Sequence, residues 1–232
     1  GGLRRVDGIL LFNKPILWTS HDAVDFVRRR TGQRAVGHAG TLDPLATGLL
    51  ILLVGRATKR SAEFADLDKD YFGTMTLGVE TETQDMEGRI LRQTDASDVT
   101  PERLGRAFSG FVGQMRQTTP LYSAVKRGGR KLYELARSGA VAEAAPSRTV
   151  TLSDFRLLEF PSPEVHFFLT CSKGTYVRAL CDDVGRELGC GAALSSLVRS
   201  RIGPHRLSAA LGEEDVRRLG PAGLEGSLLA AG

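Results

Sequence analysis

The chain is expected to fold as a single α+β domain over residues 1–232. Two short runs that are apolar almost throughout, Asp7 to Asn13 and Gly48 to Val54, read as buried strands. Two later segments, Thr100 to Phe111 and Val177 to Leu188, place apolar residues at helical spacing. Strands and helices intermingle without a clean βαβ alternation, which favours α+β over a doubly wound sheet.

The first strand closes at Lys14-Pro15, where proline removes the N–H that would continue a ladder. A helix starts at Thr19. Asp22 forms a capping pair with it, Ala23, Val24 and Val27 give an apolar side, and Gly32 ends it. Lys69 to Val79 and Gly88 to Leu91 read as strands across a Glu80–Gly88 turn region. Thr100-Pro101 opens the next helix, with Leu104, Ala107, Phe108 and Phe111 along one side. Leu121 to Ala140 carries Lys126, Arg127, Arg130 and Lys131 around Gly128-Gly129, a basic hairpin-like excursion from the main body. Thr149 to Phe160 and Val165 to Ser172 read as strands. The helix after them buries Val177, Leu180, Cys181, Val184 and Leu188.

With 41% hydrophobic and 25% charged residues the composition is that of a soluble globular protein. No secretory signal is visible, and the longest apolar stretch, Gly48 to Gly55, is too short to cross a bilayer. Three cysteines at spacings without a zinc or redox pattern point to reduced thiols in the cytoplasm. Of the 31 basic residues 25 are arginine, and arginine both forks phosphate and stacks on bases, so the surface suits RNA as well as plain solvation.

The segment Val36 to Gly48 reads as a glycine-rich loop. Asp43, between Leu42 and Pro44, fits a nucleophile or base. It fits equally an N-cap with Pro44 as the first helical residue. The segment lacks the Gly-Lys-Ser/Thr ending of a phosphate-cradling loop. A second segment, Cys171 to Arg178, hands a strand over to the one-sided helix. Arg178 projects from the face opposite the apolar stripe, either to pair with Asp182 one turn on or to hold Asp43 ionised. Tyr71 is a core aromatic or a platform for a flipped base, and His38 a polar loop residue or a wedge into RNA.

These segments resemble the TruB family of bacterial pseudouridine synthases. Gly37 to Gly48, with its His38-Ala39-Gly40-Thr41-Leu42-Asp43-Pro44 core, is similar to that family's active-site motif. Gly8 to Pro15, Asp70-Tyr71-Phe72, Pro120 to Lys126 and Lys173 to Arg178 match in the same order, over roughly residues 7 to 210. The resemblance implies the pseudouridine synthase fold, a mixed, largely antiparallel sheet flanked by helices. An inserted thumb over about 121–147 would grip the T-arm. It implies isomerisation of uridine 55 in the tRNA T loop after base flipping, with no cofactor and no metal. Asp43 would attack covalently, Arg178 would hold it, and Tyr71 would stack on the uracil and assist loss of the C5 proton. Tyr176 and Leu197 would line the pocket, His38 would fill the vacated stack, and Lys14 would lie nearby. Leu197 fits ordinary core packing as well.

Arg28 to Arg30, the thumb cations, Arg199, Arg201 and Arg206 are candidate phosphate contacts. The implied partner is the tRNA T-arm alone, bound by a monomer with no obligate protein partner. Only 24 residues follow Ser208, too few for the PUA-type RNA-binding domain common in this family, so that module is expected to be absent. A non-catalytic RNA-binding protein and a guide-RNA-dependent relative are the rival readings.

Overall fold

The computed structural model describes residues 5–121, 126–127, 130–131 and 146–232. Strand β1 (Gly8–Lys14) leads through a short connection to helix α1 (Ser20–Thr31). The expected capping box forms. The Thr19 hydroxyl accepts from the Asp22 N–H at 2.9 Å, and the Asp22 carboxylate accepts from the Thr19 N–H at 2.8 Å. Gly32 closes the helix in the left-handed conformation. Strands β2 (Val36–Ala39) and β3 (Ala46–Val54) follow, then a 3₁₀ turn, α2 (Ser61–Ala65) and β4 (Lys69–Leu77).

The single strand expected from Lys69 to Val79 is two. Gly78 sits at φ 79, so the chain turns there into β5 (Val79–Thr81), which pairs with β6 (Ile90–Gln93). A Cβ on Gly78 would lie 2.4 Å from the Thr94 carbonyl oxygen, so only glycine fits the bend. Helix α3 (Pro101–Phe111) is capped by the Thr100 hydroxyl, as expected. Then come β7 (Gly113–Thr118), β8 (Lys126–Arg127) and β9 (Arg130–Lys131). The last two pair antiparallel. Most of the expected thumb lies outside the described residues. The remaining elements are β10 (Ser147–Glu159), β11 (Glu164–Cys171), α4 (Val177–Leu188), β12 (Ala192–Ile202), β13 (His205–Arg206), α5 (Glu213–Arg218) and α6 (Pro221–Gly226).

Two compact units are present, Gly1–Phe72 with Leu197–Gly232, and Gly73–Ser196. Strands β4 and β12 change unit part-way along. In the first unit the order is β1-β3-β12-β4, with β2 also on β3 and β13 on β12. β1 and β2 are antiparallel to β3, whereas β12 is parallel to it. Alternate residues of β1 and β3 face opposite ways. Ile9, Leu11, Leu49, Ile51 and Leu53 join Ala57, Phe64 and Ile202 in one core cluster. Phe12 turns the other way, with its ring centroid 6.1 Å from both Trp18 and Phe26. Burial on both faces explains the unbroken apolar runs. Each fully buried Leu or Phe contributes about 1.5–3 kcal/mol relative to exposure.

The tail of the chain completes this unit. Ile9 and Leu229 exchange two backbone hydrogen bonds at 2.9 Å, and Asn13 N–H donates to the Leu211 carbonyl at 2.8 Å. These contacts pair backbone groups of β1 that would otherwise face solvent. The Arg217 guanidinium of α5 lies 5.1 Å above the Phe26 ring of α1.

In the second unit the order is β12-β4-β11-β10-β7. β10 is antiparallel to both β11 and β7. Helix α3 packs on β10 through Phe108, which stacks on Phe155 at 3.9 Å between centroids, while Phe167 meets Phe155 edge-on.

Candidate active site

Asp43 lies on the connection between β2 and β3. The Ala46 N–H donates to the Asp43 carbonyl at 2.9 Å, and Pro44 occupies the second position of that turn. No helix follows, so the capping alternative for Asp43 falls away; Pro44 presets a turn that leads into β3 instead. The carboxylate-bearing residue is half-buried.

Both neighbours of Asp43 are held from the β1–α1 side. The Ser20 hydroxyl accepts from the Leu42 N–H at 2.9 Å and donates to the Leu42 carbonyl at 3.2 Å. The Leu17 N–H donates to the Pro44 carbonyl at 2.8 Å. Lys14 is 0% exposed at the end of β1, opposite Gly48 in register. Its ammonium donates to the carbonyls of Pro15 at 2.9 Å and Trp18 at 2.6 Å, which ties down the connection that grips the Asp43 turn. A buried cation needs such acceptors to offset its lost hydration.

Two sequence expectations are corrected here. His38 is not at a loop tip. It sits on β2 opposite Leu52, where pairing with β3 imposes a strand on a sequence too glycine-rich to announce one. Its Nδ1 is buried and has no hydrogen-bond partner among the described residues. Burial pushes its pKa below 6.5, and the nearby charges of His21 and Arg199 act the same way. Arg199 is not a surface phosphate contact either. It is 1% exposed, the largest fully buried side chain described, and it donates to the carbonyls of Gly40 and Leu49.

Leu197 is buried on β12 opposite Ala46, the first residue of β3, and its carbonyl accepts from the Thr47 hydroxyl at 3.5 Å. Tyr71 is 6% exposed on β4. Beside it, Asp70 and Arg201 form a two-pronged ion pair, both distances 2.8 Å, which commits Arg201 to structure. Lys69 is also buried, donating to the carbonyls of Ala65 and, at 2.7 Å, Leu67. Lys14, His38, Asp43, Tyr71 and Leu197 all belong to the first unit.

Tyr176 and Arg178 belong to the second. Tyr176 is the N-cap of α4, and Gln117 clamps its backbone, accepting its N–H at 2.7 Å and donating to its carbonyl at 3.0 Å. The Arg148 guanidinium lies 5.6 Å from the centre of its ring. Arg178 is buried, and its Nη1 donates to the Thr83 carbonyl at 3.0 Å. Asp182 pairs with Arg186 at 2.7 Å and accepts from the Gln84 side-chain amide at 3.4 Å. Among the described residues no group of three or more His, Cys, Asp or Glu side chains converges as a metal site. No described helix is long and apolar enough to cross a membrane.

Residues 28–177 match the TruB family pseudouridylate synthase N-terminal domain. The chain belongs to the TruB family. This TruB-family chain is 45% identical over 208 residues to a protein of Opitutus terrae named tRNA pseudouridine synthase B, covering 90% of this chain and 86% of that one. A protein of the same name from Alkaliphilus oremlandii is 44% identical over 214 residues, covering 92% of this chain and 71% of that one. Among solved structures, a chain of a Cbf5-Nop10-Gar1 complex superposes with TM-score 0.71 at 27% identity. That match covers 90% of this chain and 54% of the other, so the TruB-family chain spans about half the length of that relative. A chain of an H/ACA RNP bound to a substrate RNA, 24% identical with TM-score 0.68, shares the fold. The fold is that of the pseudouridine synthases, a mixed sheet flanked by helices.

Proposed function

We propose that this protein converts uridine 55 of the tRNA T loop to pseudouridine, with Asp43 as its covalent nucleophile. Relatives covering most of the chain are named tRNA pseudouridine synthase B, which supports a tRNA substrate. The observation that carries the assignment to Asp43 is its mounting. It occupies a turn gripped at Leu42 and Pro44, is only half-buried, and caps no helix. A reactive carboxylate needs to be both fixed and reachable.

The reaction breaks the N1–C1′ bond and forms a C5–C1′ bond. C5 loses a proton and N1 gains one, so nothing is oxidised or reduced. A uridine must leave its stack before C1′ and C5 can be reached. In this reading the flipped uracil stacks on Tyr71, which also assists removal of the C5 proton, and His38 fills the gap left in the RNA. Arg178 pairs with Asp43 and keeps it ionised and aimed. Tyr176 and Leu197 line the pocket, and Lys14 braces it. The enzyme works on the T-arm as a cytoplasmic monomer, and residues 1–232 with the thumb act as one catalytic domain.

The test is incubation with an unmodified T-arm stem-loop, without guide RNA or partner protein, followed by chemical mapping of pseudouridine. The loop uridine is expected to convert. Asp43→Asn is expected to abolish conversion while RNA affinity stays within a few-fold. A folded wild-type sample that leaves the uridine unchanged overturns the assignment. Equal loss of binding and turnover in Asp43→Asn overturns the role given to that carboxylate.

A further inference from the structure

We infer that Arg199 is a positioning residue for Asp43: its guanidinium staples together the two arms of the β2–β3 hairpin on which the acid is carried. The inference rests on the proposed role of Asp43.

The hairpin is paired at its base and opens towards its tip. Ala39 pairs with Ile51, but from Gly48 towards Ala46 the partner of β3 is no longer β2; it is β12, running parallel. The arms have therefore separated, and residues 40–47 form a wide arch with Asp43 near its top. Arg199 sits in the fork. Its backbone is opposite Gly48. Its side chain donates from Nε to the Leu49 carbonyl at 2.8 Å, on one arm, and from Nη2 to the Gly40 carbonyl at 2.6 Å, on the other.

Three further observations support a dedicated role. The side chain is fully buried, and no carboxylate pairs with it among the described residues; an arginine is costly to place there. The planar guanidinium presents donors in a fixed fork, so one group bridges two carbonyls in a set geometry, which a lysine's single ammonium does not reproduce. β12 also approaches unusually closely. Gly48 lies at φ 102, and a Cβ there would fall 2.4 Å from the Arg199 carbonyl oxygen. The grips at Leu42 and Pro44 hold the top of the arch, and Arg199 holds its feet. With the feet released, the acid keeps its neighbours but loses its fixed height above the sheet.

Arg199→Lys and Arg199→Gln test this with two independent readouts. Hydrogen exchange over residues 37–49 reports on the arch whether or not the protein is catalytic. Protection there is expected to fall at least tenfold in both variants, with a cooperative thermal transition retained. Single-turnover conversion of the T-arm stem-loop at saturating RNA is expected to fall about 100-fold in the Gln variant and less in the Lys variant, as for an acid misplaced by about 1 Å. The Kd for RNA should stay within twofold. Unchanged exchange in a folded variant overturns the staple. Lost protection with a rate within threefold of wild type overturns positioning, and a Kd that weakens as much as the rate identifies an RNA contact instead. If the Gln variant does not fold, the Lys variant decides. A wild type that fails to convert the stem-loop counts against the proposed function, while the exchange comparison still decides whether Arg199 holds the arch.

Discussion

Ser20 and Leu42, 22 positions apart, exchange two hydrogen bonds, the hydroxyl accepting at 2.9 Å and donating at 3.2 Å. Both residues are buried, so no solvent stands ready to replace either bond. Ser20→Ala leaves an amide and a carbonyl without partners, and is expected to destabilise the protein by about 1–3 kcal/mol. Urea unfolding measures it. The turn carrying Asp43 should loosen as well, so conversion should slow in the folded variant. A stability within about 0.5 kcal/mol of wild type would show that the clasp contributes little beyond what solvent supplies.

Leu17 offers the opposite sign. It lies at φ 68 with 70% of its surface exposed, a left-handed backbone with little packing in return. That conformation costs a residue with a Cβ about 1–2 kcal/mol. Glycine removes the strain but adds about 0.5–1 kcal/mol of unfolded-state freedom. Leu17→Gly is therefore expected to raise stability by about 0.5–1 kcal/mol, seen as a higher urea midpoint. A lower midpoint would show that the exposed side chain does pack.

The low pKa of His38 makes stability depend on pH. Burial, with the charges of His21 and Arg199, favours the neutral ring in the folded protein. The unfolded chain then binds the proton more readily. Its contribution is complete above pH 6.5 and is lost as pH falls below that value and through the folded pKa. Between pH 7.5 and 5 the urea midpoint of wild type should drop more steeply than that of His38→Gln. His205, also lowered by burial, supplies a background slope to both proteins. Parallel curves would mean that His38 titrates alike in both states.

Cys171, Cys181 and Cys190 are all buried thiols. Burial pushes Cys181 far up and Cys190 up, so neither offers a thiolate at neutral pH. A disulfide reagent such as DTNB should react slowly with the native protein and titrate three thiols in urea. A thiol that reacts at once in the folded protein would contradict the packing around α4 and β11.

Local signals were legible where local physics decides. The Thr19–Asp22 capping box, the Gly32 stop, the Thr100-Pro101 helix start and the apolar β1 and β3 runs could all be read from neighbours in sequence. The motif around Asp43 was read through its resemblance to the TruB family, because neighbours in sequence left a helix cap and a reactive acid both open. Elements defined by their partners were not legible. β2 is a strand because β3 offers it an edge, and β12, with Ser195, Ser196, Arg199 and Arg201 along it, shows no apolar run. The same limit applies to side chains. Arginine and lysine read as surface residues, so the burial of Lys14, Lys69 and Arg199 had no sequence signature. Their acceptors are backbone carbonyls, which every residue carries and no composition reveals. Ser20 and Gln117 were overlooked for a related reason: each clamps a backbone segment distant in sequence.

The parallel pairing of β12 with β3 also has a consequence in time. Gly40 and Arg199 are 159 positions apart. A chain emerging from the ribosome exposes Asp43 long before the guanidinium that bridges the Gly40 and Leu49 carbonyls has been synthesised. Until then the tip of the hairpin has only the early clasps from Ser20 and Leu17 to shape it. Catalytic competence should thus appear late and abruptly during translation, once residue 199 clears the exit tunnel and its strand docks, a delay inherent in long-range closure.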